Sequence, residues 1–127
     1  MNLTLWIGAG LLAAVALVGG LSKLLTPKEK LATMRGAEWT THAAPGLVTG
    51  LGAVEFLAAF GLILPAALHL APVLVPVTAL CWVALMIGAM ITHARLGQVG
   101  LVAVNLCYLA LAVFIAWGRL GPARFVG

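Results

Sequence analysis

Only three acidic side chains occur in this 127-residue chain, and one of them, Glu55, stands where a solvated acid would not be placed. Its surroundings, GLGAVEFLAAFGLILP from Gly50 to Pro65, hold no other polar side chain. A carboxylate in such a stretch can exchange a proton, pair with a cation or accept hydrogen bonds. Exposed to lipid it would cost several kcal/mol, so it is expected to face the interior and to have a task. Few other side chains could join it. His93 adds an imidazole able to exchange protons near neutral pH, Lys23 a cation, Asn105 a donor and an acceptor, and Tyr108 a phenol. A carboxylate and an imidazole facing one substrate are suited to proton transfer, with the amide, the ammonium and the phenol to orient it.

The elements that must position these groups are long apolar helices. The chain is 64% hydrophobic and 8% charged, with a mean hydropathy of +1.18. Soluble domains carry about 25% charged residues. Runs of about 20 apolar residues, the length that crosses the hydrocarbon core, recur four times, at about 3–25, 46–64, 72–92 and 99–117. Helix is the state expected for each, because the bilayer interior offers no partner to an unpaired backbone group and no barrel-like alternation is present. The first run is too long and lacks the basic start of a signal peptide, so cleavage is not expected. The connections PAALHLAP and HARLGQ are short, which makes their flanking helices antiparallel neighbours. The chain therefore reads as one domain, 1–127, an all-α integral membrane four-helix antiparallel bundle.

In that bundle the polar groups gather in one half. Glu55 lies about nine residues into the second helix, roughly 13 Å deep. Asn105 is about six residues into the fourth helix, at a similar depth, and Tyr108 follows three residues later on the same face. Lys23 and His93 close the first and third helices on that side. The opposite half is almost wholly apolar. Each residue also has a structural reading: a Glu55–Asn105 hydrogen bond, Lys23 snorkelling to the headgroups, Asn105 as interhelical glue, His93 at the headgroup level. Trp82, Met86 and Met90 on the third helix are suited to line a pocket for a flat lipophilic molecule, or simply to pack. Gly19, Gly20, Gly50, Gly52 and Gly88 either bring helices together or leave room for such a molecule, and Gly46 with Gly50 also suits a dimer contact. Cys81 and Cys107, in separate helices without a CxxC pair, read as small buried hydrophobes.

The first connection, TPKEKLATMRGAEWTTHAAP, holds most of the charge. Thr26-Pro27-Lys28-Glu29 has the form of a capped helix start, which would put Leu31 and Met34 on one face of a short interfacial helix. Lys23, Lys28, Lys30, Arg35 and Arg95 share one side of the membrane, against Arg119 and Arg124 on the other, so the long connection is expected in the cytoplasm and both termini outside, at the cell (inner) membrane. Trp6 and Trp117 fall on the terminal side, as an aromatic belt would. The net charge of +4 then serves topology and contact with membrane lipid, not nucleic-acid binding. His42 and His69 lie in connections on opposite sides and are given no role. No repeat, haem, nucleotide or metal motif is present in the sequence, so a cofactor, if used, is expected to be small and lipid-soluble, such as a quinone, or supplied by a partner.

Taken in order, GLSKLL closing the first helix, GAVEFLAAFGLILP in the second, MIGAMITHARLGQ closing the third, and Asn105 followed by WGRL resemble the DoxX-like family of small four-helix membrane proteins over essentially the whole chain. The resemblance implies the same four-helix membrane fold, an association with redox chemistry that includes a subunit of thiosulfate:quinone oxidoreductase, and Lys23, Glu55, His93 and Asn105 as signature positions. One departure stands out: where that family often has an acid after the glycine of the histidine motif, this chain has Gln98. Two expectations for function stay open. One is a redox-associated protein holding a quinone or similar lipophilic molecule, with Glu55 and His93 exchanging protons as the ring is reduced. The other is an enzyme doing acid–base chemistry on a lipophilic substrate, an isomerase, cyclase or epoxide-opening enzyme. A small transporter coupled through Glu55 lacks support from an inverted repeat. A homo-oligomer, or a subunit of a larger membrane complex with the polar cluster as its interface, is also compatible with the sequence.

Overall fold

The computed structural model describes residues 2–34 and 37–123. Six α-helices follow one another: α1 (Asn2–Leu25), α2 (Lys28–Leu31), α3 (Pro45–Gly61), α4 (Leu64–Ala67), α5 (Leu74–Arg95) and α6 (Val99–Leu120), with a 3-10 turn at Glu38–His42 and no strand among the described residues. Four spans, Asn2–Leu25, Gly46–Ala67, Leu74–Arg95 and Val99–Leu120, are long and apolar enough to cross a membrane. The protein is an all-α four-helix membrane bundle. Its two ends are called here the connection side, where α1 meets the long connection and α5 meets α6, and the terminal side.

The boundaries depart from the sequence reading where glycine and proline decide them. The second span does not run unbroken to Leu64. α3 stops at Gly61, and Ile63 (φ −118°, ψ −54°) separates it from α4, because Pro65 has no N–H to bond a carbonyl one turn back. α5 starts at Leu74, after a turn in which Ala71 takes a positive φ of 48°, and Pro76 sits in its first turn, where no intrahelical donor is needed. α5 then continues past Thr92 to Arg95. Its end is a Schellman motif: Gly97 adopts φ +70°, its N–H bonds Ala94 O at 3.1 Å, and the Gln98 N–H bonds His93 O at 2.9 Å.

The long connection forms less helix than its sequence signals. α2 is one turn whose cap is Pro27, with no side-chain cap hydrogen bond, so the Thr26–Glu29 box does not form. Leu31 is buried and Met34 exposed, so the two do not share a buried face. Arg35 lies outside the described residues, as does Arg124.

α1 packs along α3 and α5 along α6, and α1 joins the pairs through α6; α3 and α5 touch sparsely. At the terminal side the helices fit closely. A Cβ added at Gly118 would lie 2.6 Å from Leu5 Cδ2, and one added at Gly61 would lie 2.6 Å from Thr78 Oγ1. Leu12, Leu62, Val75, Ala79 and Ile115 form the centre of the apolar core, with Trp82 and Met86 at its connection-side limit. Each fully buried leucine or isoleucine contributes about 1.5–3 kcal/mol in water-referenced terms, and in lipid the same contacts act as packing. Cys81 and Cys107 are corrections to the sequence reading: both are exposed on the outer, lipid-facing surface. Both fall on faces that the third and fourth spans turn away from the core, where a small apolar thiol is as well placed as a buried one.

Candidate functional site

The site begins with a close approach of two backbones. A Cβ built on Gly20 would sit 2.6 Å from Phe56 N and 2.8 Å from Gly52 O, and one on Gly52 would sit 2.8 Å from Lys23 Cβ. Nothing larger than glycine fits at this crossing of α1 and α3. Lys23 follows Gly20 by three residues and Glu55 follows Gly52 by three, so each stands one turn from the contact. Helical side chains lean toward their own N-terminus. α1 and α3 are antiparallel, so Lys23 leans away from the connection side and Glu55 leans toward it. The two heads converge, with Lys23 Nζ donating to Glu55 Oε2 at 2.8 Å. Gly19 leaves the carboxylate its space: a Cβ there would lie 3.1 Å from Oε2.

Glu55 is 7% exposed overall, and the Lys23 side chain 20%. Lys23 therefore turns inward and does not snorkel. Together the charges form a neutral pair, which lowers the cost that either would carry alone in the bilayer, and removal of one partner would strand the other. The Glu55–Asn105 bond weighed from sequence is not made. Asn105 Nδ2 donates to Leu101 O in its own helix at 3.0 Å, which leaves its Oδ1 without a hydrogen bond among the described residues.

Between α3 and α5, on the connection side of their contact at Gly61 and Thr78, lies a cavity of about 420 Å³. Leu47, Leu51, Leu85 and Met86 give it apolar walls, Ala84, Gly88 and Ala89 give it width, and Lys23, Glu55, Thr92, His93 and Asn105 are its polar groups. Binding sites for small molecules commonly have volumes of about 300–1,000 Å³ with few polar groups. The structure thus brings Glu55, Lys23, His93, Asn105 and Met86 to one cavity. Tyr108 lines a neighbouring cavity of about 640 Å³ that shares Lys23 and Trp39 with the first. Trp82 is buried in the core beside Met86, and its Nε1–H lacks a hydrogen-bond partner among the described residues. Met90, half-buried on α5, is not part of either cavity wall.

His93 is buried, 8% exposed, in the last turn of α5. The Schellman turn at Gly97 folds Gln98 back over it, and the two side chains meet with His93 Nδ1 2.7 Å from Gln98 Oε1. Gln98 Nε2 in turn donates to Glu38 Oε2 at 3.0 Å. The residue that departs from the resembled pattern is thus a link between the imidazole and another carboxylate, contributed by the 3-10 turn of the long connection.

Glu38, Trp39 and the bonding of Gln98 escaped the sequence reading. The scarcity of acids was the available signal for Glu38, but its partner lies 60 positions away in the chain. Arg119 was also missed. Read as a charge that sets topology, it is 5% exposed; its Nη1 donates to Asn2 Oδ1 at 2.7 Å and to Ala123 O at 2.9 Å, and its guanidinium lies 5.8 Å from the centre of the Trp6 ring.

A family model described as the DoxX-like family matches residues 7–115, all but the ends of the bundle. The chain belongs to the DoxX-like family. No curated protein and no solved structure matches it. The matched span of this DoxX-like protein contains the whole ion pair, the cavity between α3 and α5 and the Glu38–Gln98–His93 chain. Arg119, at the terminal side, lies beyond it.

Proposed function

We propose that this DoxX-like protein is a redox-associated membrane protein that binds a quinone or a similar lipophilic molecule in the cavity between α3 and α5. The observation that carries the reading is the cavity itself. It is apolar along most of its wall, and it lies in the sparse seam between two membrane spans, where a lipid-soluble molecule has the shortest way in. The residues fit a quinone in kind: Lys23 and the Asn105 amide reach the cavity as polar groups, and Leu51, Leu85 and Met86 offer apolar surface to a ring. A bound quinone would supply reversible two-electron, two-proton chemistry. This chain's own residues orient the head group and exchange protons with it at the Glu55 carboxylate and the His93 imidazole, both of which can accept one.

A second reading, acid–base catalysis on a lipophilic substrate, is favoured by one observation: a carboxylate and an imidazole line the same cavity. Its reaction would be an isomerisation, a cyclisation or an epoxide opening, with Glu55 as proton donor or acceptor. In either case the excess of Lys and Arg on the connection side favours a cytoplasmic position for that side, and the cavity would then be reached from the cytoplasmic half of the cell membrane. The immediate surroundings are membrane lipid.

Mass spectrometry of small molecules that co-purify with the full chain tests the proposal, with wild type compared with Glu55→Ala. A quinone present in wild type and lost in the variant is the expected result. A different lipophilic molecule with the same dependence would favour acid–base catalysis, and no molecule dependent on Glu55 would overturn both readings.

A further inference from the structure

The chain of contacts from Glu38 to His93 has a direction. A carboxylate accepts hydrogen bonds and does not donate them, so the Gln98 amide must turn its NH₂ toward Glu38, as the 3.0 Å contact from Nε2 to Oε2 shows. The other end of the same planar amide is a carbonyl oxygen, and it stands 2.7 Å from His93 Nδ1. Two acceptors at that distance would repel. When the imidazole is neutral, its proton is therefore on Nδ1 and Nε2 carries the lone pair. Among the described residues His93 makes no side-chain hydrogen bond other than the one with Gln98. The Schellman turn at Gly97 holds the arrangement from the backbone, since it places the Gln98 N–H 2.9 Å from His93 O.

We propose that Glu38, acting through Gln98, fixes His93 as the Nδ1–H tautomer, so that the cavity presents a ring acceptor and selects lipophilic molecules that carry a hydroxyl donor. Glu38 and Gln98 are positioning residues, and His93 is the group that meets the ligand. The selection of ligand rests on the reading of the cavity as a binding site; the tautomer does not. A reduced, hydroxyl-bearing ring such as a hydroquinone donates to Nε2. The same ring with its hydroxyls methylated has the same shape and nothing to donate, and it would leave the acceptor unpaired in a poorly solvated site.

Nitrogen NMR of the full chain, labelled with ¹⁵N-histidine and held in lipid bilayers, reads the tautomer directly, with the His93 signals assigned by their loss in His93→Gln. The expected result is a protonated Nδ1 and a bare Nε2. Glu38→Leu should shift the tautomer ratio toward Nε2–H by about tenfold, the equivalent of one hydrogen bond of about 1.4 kcal/mol. Glu38→Gln, which keeps a carbonyl oxygen to accept from the Gln98 amide, should preserve the wild-type ratio and shows that the shift does not come from general disturbance. A protonated Nε2 in wild type, or a ratio unmoved in Glu38→Leu, overturns the tautomer assignment. Binding is then compared for a short-chain hydroquinone and its dimethyl ether. About tenfold or more in favour of the hydroquinone, with the difference lost in Gln98→Leu, is expected. Equal affinity for the two overturns the selection and leaves the binding site standing; no binding of either overturns the binding-site reading as well.

Discussion

The two halves of this bundle use small residues for opposite ends. On the terminal side the small residues at the helix contacts are filled from across the interface: Gly118 receives Leu5, Gly8 lies against Leu111, and Leu12 and Ile115 close the space between α1 and α6 without exposure. On the connection side Gly20 and Gly52 bring α1 and α3 into backbone contact, but Ala84, Gly88 and Ala89 on α5 line the cavity. A Cβ added at Gly88 would meet nothing within 4 Å. A small residue thus produces contact or space according to what the facing helix offers, and in the open seam between α3 and α5 it leaves space. The charges divide in the same way. Arg119 is held at the terminal surface by Asn2 and the Ala123 carbonyl, whereas Lys23 and Glu55 hold each other beside a cavity.

The contrast can be broken most sharply at the ion pair. Lys23→Met leaves Glu55 buried without its partner and should cost about 3–5 kcal/mol, while the double variant Lys23→Met/Glu55→Leu should recover wild-type stability or exceed it. Unfolding followed by circular dichroism in mild detergent measures both. In the packed half, Leu12→Ala should cost about 2–5 kcal/mol by opening a cavity in the core, yet leave the co-purifying molecule in place. Gly20→Ala should cost about 1–3 kcal/mol, because its methyl group meets the backbone of Phe56 and cannot be relieved by a rotamer change. Ala89→Trp sharpens the contrast from the other side: it fills the cavity at less than the cost of overpacking a closed core, and should remove ligand binding in a direct titration. The smallest effect belongs to the lipid-facing thiols. Cys81→Ala and Cys107→Ala should each stay within about 0.5 kcal/mol of wild type.

Much of this was legible in the sequence because hydrophobic runs of span length admit one state in a bilayer. Glu55 announced itself by standing alone among apolar residues, and the gathering of Lys23, His93 and Asn105 on one side followed from depth along each helix. Depth, however, does not give azimuth. It placed Asn105 level with Glu55 but could not show that its amide bonds back to Leu101, nor that Tyr108 lines the neighbouring cavity. Lys23 near a helix end reads equally well as snorkelling outward. Only the glycine crossing three residues before it, matched by Gly52 before Glu55, turns it inward, and that match is visible once the helices are known to be antiparallel neighbours. Glu38 was the least legible, since a carboxylate in a loop has no periodicity and its link to His93 depends on a Schellman turn that sets one amide.

The central claim is that the ion pair serves a bound molecule and not the fold alone. It is tested most directly by mass spectrometry of the molecules that co-purify with Lys23→Met/Glu55→Leu, once that double variant has been shown to fold as stably as wild type. Loss of the molecule that wild type carries is the predicted result. A stable double variant that still carries it at the wild-type level would contradict the claim and leave the pair as structure only.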